Sequence, residues 1–495
     1  MNIRPSFPEF SSMANQGNLI PVYREFLGDT ETPVTSYLKI RDKSFSYLLE
    51  SADGGERWGR YSFIGYMPYL VARLYGREME MQEGGIKTIL KDVQNPLDVL
   101  KDWAGKFKAV TSKELAPFQG GLVGYFNYDL IRKWERLPGI SRKEIDQPET
   151  IFIATRRLII FDHFTHQIKV AVFAHLQEKE DIKKSYNLAC QELEETVSDL
   201  KQPLASITKV EPFQLSELSS NFKKEEFENS VKKIKEYIVA GDVIQTVLSQ
   251  RFSGSVSGDD FTLYRNLRSV NPSPYMFYLN FGDVKLIGAS PEILVRLTDG
   301  KIELRPIAGT RPRGEDPEAD RNFEEELMSD PKERAEHIML VDLGRNDAGK
   351  VALPGTVHVP RLMEVERYSH VMHIVSRVEG QLKPDMDCFD LFMSAFPAGT
   401  VSGAPKIRAM EIISELEPSS RGPYAGAVGY FGLNGNMDFC ITIRTITIHN
   451  NTLSIQVGAG IVADSSPEGE YEETLRKAAA MFKAIKKVRD NDTFD

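Results

Sequence analysis

The chain has 495 residues and a net charge of −10, from 61 basic and 71 acidic side chains, with 41% hydrophobic and 27% charged residues. That balance is ordinary for a globular protein, argues against a nucleic-acid binder with a basic face, and at roughly 150 residues per domain allows two or three domains. Three scattered cysteines, Cys190, Cys388 and Cys440, argue against a disulfide framework or a zinc cluster and fit a reducing cytoplasm.

In chain order, the first 26 residues carry no continuous apolar run, so no secretory signal is expected there. No segment approaches the roughly 18 apolar residues of a membrane helix, so no membrane partner is expected. Residues 15–175 read as strand-rich, with β-branched and aromatic runs at 150–162 and 167–174 and a glycine-interrupted strand at 120–125. Residues 179–200 turn to a polar helical pattern. The segment 201–222, with two prolines and no periodicity, marks a boundary between units at 15–200 and 222–489.

The second unit opens on a helix, with Asn221 as the expected N-cap, Phe227, Val231, Ile234 and Ile238 at helical spacing, and Gly241 as the stop. A short alternating strand at 301–304 leads into the basic, glycine-containing turn Arg305–Gly314, where Gly309 and Thr310 could meet an anion. Such turns are equally often plain punctuation. Ser329-Asp330-Pro331 starts a helix, with Glu333 as a capping-box partner of Asp330 and Glu336 on the same face. A strand over 368–375 carries His370 and His373 on opposite faces, either of which is more often a satisfied histidine than a catalyst.

The loop 394–409 holds Pro397, Thr400, Ser402 and Gly403 before a helix opened by Pro405 and carrying Lys406 and Arg408. Residues 438–447 alternate strictly, which predicts one strand with Arg444 upon it, partnered by a carboxylate of a substrate or of the protein. A strand running into Gly458-Ala459-Gly460 offers backbone amides. The last helix, 468–489, has Ser465 as a possible cap, Pro467 at its opening and a stripe of Tyr471, Leu475, Ala478 and Phe482. It repeats the earlier acidic spacing with Glu470 and Glu473. Two helices with two carboxylates each could hold one Mg²⁺, but first-turn glutamates also serve the helix dipole, and Glu473 can pair with Lys477.

Taken together, PIAGTRPRG at 306–314, EHIMLVDLGRND at 336–347, GTVSGAPKIRAMEII at 399–413, GPYAGAVGYF at 422–431 and VGAGIVADSSPEGEYEET at 457–474 resemble the chorismate-utilising enzymes. Within them the chain is most similar to the large subunits, or component I, of anthranilate synthases. The resemblance implies an α+β, sheet-rich, two-domain fold of layered antiparallel sheets with flanking helices. It implies Mg²⁺ on Glu336, Glu473 and Glu470, with Glu333, His373 and Thr400 in catalysis. Gly309, Thr310, Tyr424, Arg444, Gly458, Ala459 and Gly460 would hold chorismate. Ala308 stands where relatives that use water or a lysine carry lysine, which makes ammonia the incoming group. No cysteine lies in a Gly-x-Cys-x-Gly elbow, so a separate glutamine amidotransferase subunit would supply the ammonia from glutamine. Glu50 and Ser51 of the first unit, with Pro274, Tyr275 and Met276 of the second, resemble a feedback site for L-tryptophan. The rivals are component I of aminodeoxychorismate synthase and a non-catalytic tryptophan-sensing subunit.

Overall fold

The computed structural model describes residues 3–51, 59–138, 147–177, 181–204, 211–368 and 371–489. Two long strands, Tyr61–Tyr75 and Thr150–Asp162, pair antiparallel along their length and seed everything else. The register slips between Pro68 and Leu70, beside Met67 at φ 56°. A bulge of this kind bends a ribbon sharply enough for its two ends to enter different sheets.

One end continues through Gln167–His175 to Leu19–Leu27 on one side. On its other side come Ser46–Glu50, Tyr275–Asn280, Val284–Ser290, Thr445–His449, Thr452–Ile461 and Gln245–Ser257. The other end leads through Gly121–Phe126, Ala427–Gly432, Met437–Ile441, Ile293–Thr298 and Lys301–Leu304 to Val371–Gln381. Strand pairing therefore crosses the 201–222 segment twice, at Ser46–Glu50 with Tyr275–Asn280 and at Gly121–Phe126 with Ala427–Gly432.

The sheets are layered because their strands are apolar on both faces. Along Tyr275–Asn280, Met276 and Tyr278 enter a core with Ala478 and Met481 of the helix Pro467–Arg489 and Leu263 of Phe261–Val270. Phe277 and Leu279 enter a second core with Leu122, Val428 and Phe439 of the other sheet. Burying each such side chain stabilises the fold by about 1.5–3 kcal/mol, so alternation alone holds the layers together. The fold is α+β, with antiparallel sheets and flanking helices, as expected.

Several local expectations are corrected. The opening helix of the second unit spans Lys224–Val239, and Asn221 instead accepts the Arg251 amide at 2.7 Å, tying the linker to a strand. Ser466, not Ser465, caps the last helix by accepting the Gly469 amide at 3.2 Å. Ser465 takes the Val462 amide at 3.0 Å. Glu333 makes no capping box, because the Asp330 amide is already given to Glu326 O of the preceding helix. His370 lies outside the described residues.

Candidate active site

The expected strand over 438–447 is in fact two strands. It breaks at residues 442–444, with Arg444 in the left-handed region at φ 49°. Met437–Ile441 belongs to one sheet and Thr445–His449 to the other. The chain thus crosses between layers at Arg444, and strict alternation could not reveal this, because both halves keep their own alternation. A non-glycine residue at positive φ costs free energy and marks an over-determined position.

Arg444 opens into a cavity of about 270 Å³. Among the described residues its guanidinium has no ion pair or hydrogen bond, and burial holds its pKa down while Glu292 and Tyr368 oppose that. Glu292, which the sequence reading missed, faces it. Burial pushes the Glu292 carboxyl up to about 7, although Thr400, Arg444 and Lys477 all pull it back. Thr400 Oγ1 is buried beside that carboxyl without a hydrogen bond of normal geometry.

His373 stands across the same cavity on the strand Val371–Gln381. The segment 307–312 is not a turn but a strand against it, with an irregularity at Gly309, φ 67°. That bulge aims the Gly309 carbonyl at His373 Nδ1, 2.9 Å away, with Thr310 Oγ1 at 3.1 Å. A carbonyl only accepts, so Nδ1 carries the proton and Nε2 is left as the basic nitrogen. Burial lowers the His373 pKa and keeps the ring neutral. Ala308 lines the cavity as well.

The floor is the strand Thr452–Ile461, which runs straight through the Gly-Ala-Gly triplet rather than ending there. Gly458 and Gly460 face the cavity, whereas Ala459 packs its methyl into a core with Phe227 and Ile412 behind the sheet. A Cβ on Gly458 would meet the Tyr424 hydroxyl at 2.5 Å, and one on Gly460 would meet Gln245 Nε2 at 2.7 Å. The glycines are what let Tyr424 and Gln245 reach the cavity.

The four glutamates divide. Glu336 lines the cavity and accepts Gln245 Nε2 at 2.9 Å. Burial raises its pKa, with Glu333 adding to the rise. Glu333 itself is taken by Arg311 at 3.2 Å. Glu470 is raised by burial and, among the described residues, leaves Oε2 buried without a partner, while Glu473 is ion-paired with Lys477 at 2.8 Å. Among the described residues no three potential ligands converge on one point. Magnesium needs only one or two carboxylates, the rest being waters and substrate oxygens. The orphaned oxygen of Glu470 and the raised acids of Glu336 and Glu470 fit such a cation.

A second cavity, of about 230 Å³, gathers Glu50, Ser51, Pro274, Tyr275 and Met276. Its charges are matched. Asp438 accepts Tyr275 Oη at 2.8 Å and Arg296 Nε at 2.9 Å, and Glu50 pairs with Arg268 at 3.2 Å. Among the described residues, Ser51 Oγ alone in this cavity is buried and unpartnered. Pro274 lines both cavities.

The family model for chorismate binding enzymes matches residues 49–483. Anthranilate synthase component 1 of Aquifex aeolicus (strain VF5) is 49% identical over 494 residues, covering 98% of each chain. The crystal structure of anthranilate synthase component I from Streptococcus pneumoniae TIGR4 superposes with a TM-score of 0.77 at 36% identity, covering 92% of this chain and 99% of that one. The menaquinone-specific isochorismate synthase of Escherichia coli, at 18% identity and a TM-score of 0.69 over 96% of this chain and 98% of that one, shares the fold.

Proposed function

Since the chain belongs to the chorismate-binding enzymes, and within them to the anthranilate synthase component 1 family, we infer that it aminates chorismate with ammonia and releases anthranilate and pyruvate. The observation that carries this reading is the uncompensated Arg444 guanidinium facing Glu292 and His373 in one closed-in cavity. Chorismate is a dianion, and a protein of net charge −10 must offer it a local cation. Arg444 can take one carboxylate bidentately, with Tyr424 and Thr310 as further donors.

Ammonia bonds to the ring carbon beside the carboxylate-bearing one as the ring hydroxyl departs. Glu292, half-protonated near neutrality, donates the proton that lets the hydroxyl leave as water. Ala308 offers no amine to compete with ammonia or to activate water. In the second half-reaction His373 Nε2 takes the proton from the aminated carbon. The C–O bond to the enolpyruvyl group breaks, and that group leaves as pyruvate after protonation. Aromatisation drives the step, so orientation is most of what the ring of His373 must supply.

Glu336 and Glu470, with Glu473 and Glu333 behind them, would hold Mg²⁺. When bound, it would polarise the ring carboxylate as a Lewis acid. The ammonia would come from glutamine on a separate amidotransferase subunit. The second cavity, with Ser51 and Tyr275, would take L-tryptophan, and Pro274, which lines both cavities, would link it to the catalytic cavity.

The test is fluorescence of purified chain with chorismate, ammonium and Mg²⁺. Anthranilate should form without any added lyase and stop when divalent ions are chelated. A product that needs a separate lyase to become fluorescent would point to aminodeoxychorismate synthesis and sink the reading.

A further inference from the structure

Arg421 is one of the largest fully buried side chains of the molecule, 2% exposed, and it stands behind Tyr424 of the catalytic cavity. Its anionic partner is Glu417, just past the helix Lys406–Leu416, which accepts Nε at 2.9 Å and Nη2 at 2.6 Å. A buried ion pair is weak evidence of a stabilising role, because well-packed apolar side chains fill such a space as well or better. An apolar pair, however, cannot bond to the backbone. This pair does so at three points. Nη1 donates to Val401 O at 2.7 Å, Nη2 donates to Val247 O at 2.8 Å, and Glu417 Oε1 accepts the Ser249 amide at 2.9 Å.

The bonds converge on the walls of the catalytic cavity. Val247 and Val401 line it, and Val401 follows Thr400 in the short turn Gly399–Val401. Glu417 Oε1 also accepts Ser249 Oγ at 2.7 Å, and Ser249 Oγ accepts Gln456 Nε2 at 2.9 Å, which fixes a third lining side chain. The ring of Tyr424, a fourth, has its centre 5.5 Å from the guanidinium carbon. The first unit closes the knot. Its short helix Tyr128–Lys133 sets the Tyr128 ring 4.6 Å from the same carbon, and Asp129 Oδ2 accepts the Gly422 amide at 3.0 Å. A planar guanidinium can meet a carboxylate and two carbonyls at once, which the point charge of an ammonium does not.

We infer that Arg421, with Glu417, is a positioning residue for the amination, setting from behind the wall the spacing between the Thr400 turn, the strand Gln245–Ser257, Tyr424 and Gln456. The assignment rests on the amination reading above. The knot keeps the Thr400 hydroxyl beside Glu292 and the Tyr424 hydroxyl against Gly458. A displacement of about 1 Å in such a wall costs about 10²-fold in rate. Arg444 and the two acidic helices are held by other contacts, so the loss falls on turnover rather than on substrate affinity.

Removing Arg421 alone would strand a buried carboxylate, so the decisive variant joins Arg421→Met to Glu417→Met, which deletes both charges and fills the space. Purified chains are assayed with chorismate, Mg²⁺ and saturating ammonium. The double variant should melt close to the unaltered chain, yet its kcat should fall about 30- to 100-fold with KM for chorismate within about threefold. Arg421→Lys keeps a charge facing Glu417 but cannot span both carbonyls. It should also melt close to the unaltered chain and leave kcat about tenfold low or worse. A kcat within about twofold of the unaltered chain in either variant overturns the positioning role. So does a loss of kcat that only matches the fraction of chain unfolded at the assay temperature. Should the double variant fail to fold, the lysine variant decides by the same criterion. Absence of ammonium-driven anthranilate in the unaltered protein would instead overturn the amination reading.

Discussion

The catalytic cavity and the Glu50–Met276 cavity are close in size, about 270 and 230 Å³, and share Pro274, yet they handle charge in opposite ways. In the first, Arg444 lacks an ion pair and Glu292 is pushed to about 7. In the second, Arg296 meets Asp438 and Arg268 meets Glu50. A site that must stabilise a charge that appears during reaction keeps its charges unspent. A site that only recognises a ligand neutralises itself and leaves a few donors and apolar walls. The second cavity's tyrosine, phenylalanine and methionine walls suit an amphipathic aromatic amino acid.

That contrast can be broken from either side. Glu292→Gln should make the largest change, lowering turnover by about 10²–10⁴-fold while tryptophan binding by calorimetry is kept. In the unaltered enzyme kcat/KM should fall as pH rises through about 7, where Glu292 loses its proton. It should fall again only at pH below the ordinary histidine range, where His373 gains one. Because Thr400 pulls Glu292 down, Thr400→Val should move the alkaline limb upward; a limb that stays put would assign it to another group. Arg444→Ala comes next. Losing a charge-assisted, bidentate contact worth about 1.5–3 kcal/mol should raise KM for chorismate about ten- to a hundredfold. An unchanged KM would remove Arg444 from the substrate. The smallest effect belongs to the neutral cavity. Ser51→Ala deletes its one unpartnered hydroxyl and should weaken tryptophan inhibition about two- to tenfold, with uninhibited turnover unaltered.

Much of this was legible in the residues themselves. The strand Thr150–Asp162 and the helix Pro331–Val351 carry their periods and caps in the sequence, because strands and helices are set by neighbours two to four residues apart. Thr310, Glu336, His373, Thr400, Tyr424, Arg444, Gly458 and Gly460 were all singled out and all line one cavity. Glu292 was not, since a glutamate after Ser-Pro carries no local signal of a raised pKa. That value exists only because enclosure removes water from the carboxyl. Glu473 was singled out, yet its partner is Lys477 one turn away, the pairing that helix spacing alone favours.

The sequence by itself determined the sheet-rich α+β character, the Asp330 cap of the helix Pro331–Val351 and the family motifs. Only the tertiary structure decided that Arg444 is a crossing between sheets and that two cavities share Pro274. The physical reason is range. Periodicity and capping are local hydrogen-bond and steric effects, whereas the pairing of Ser454 with Ser253 joins residues 201 positions apart. What a charge does depends on how much water those distant partners exclude.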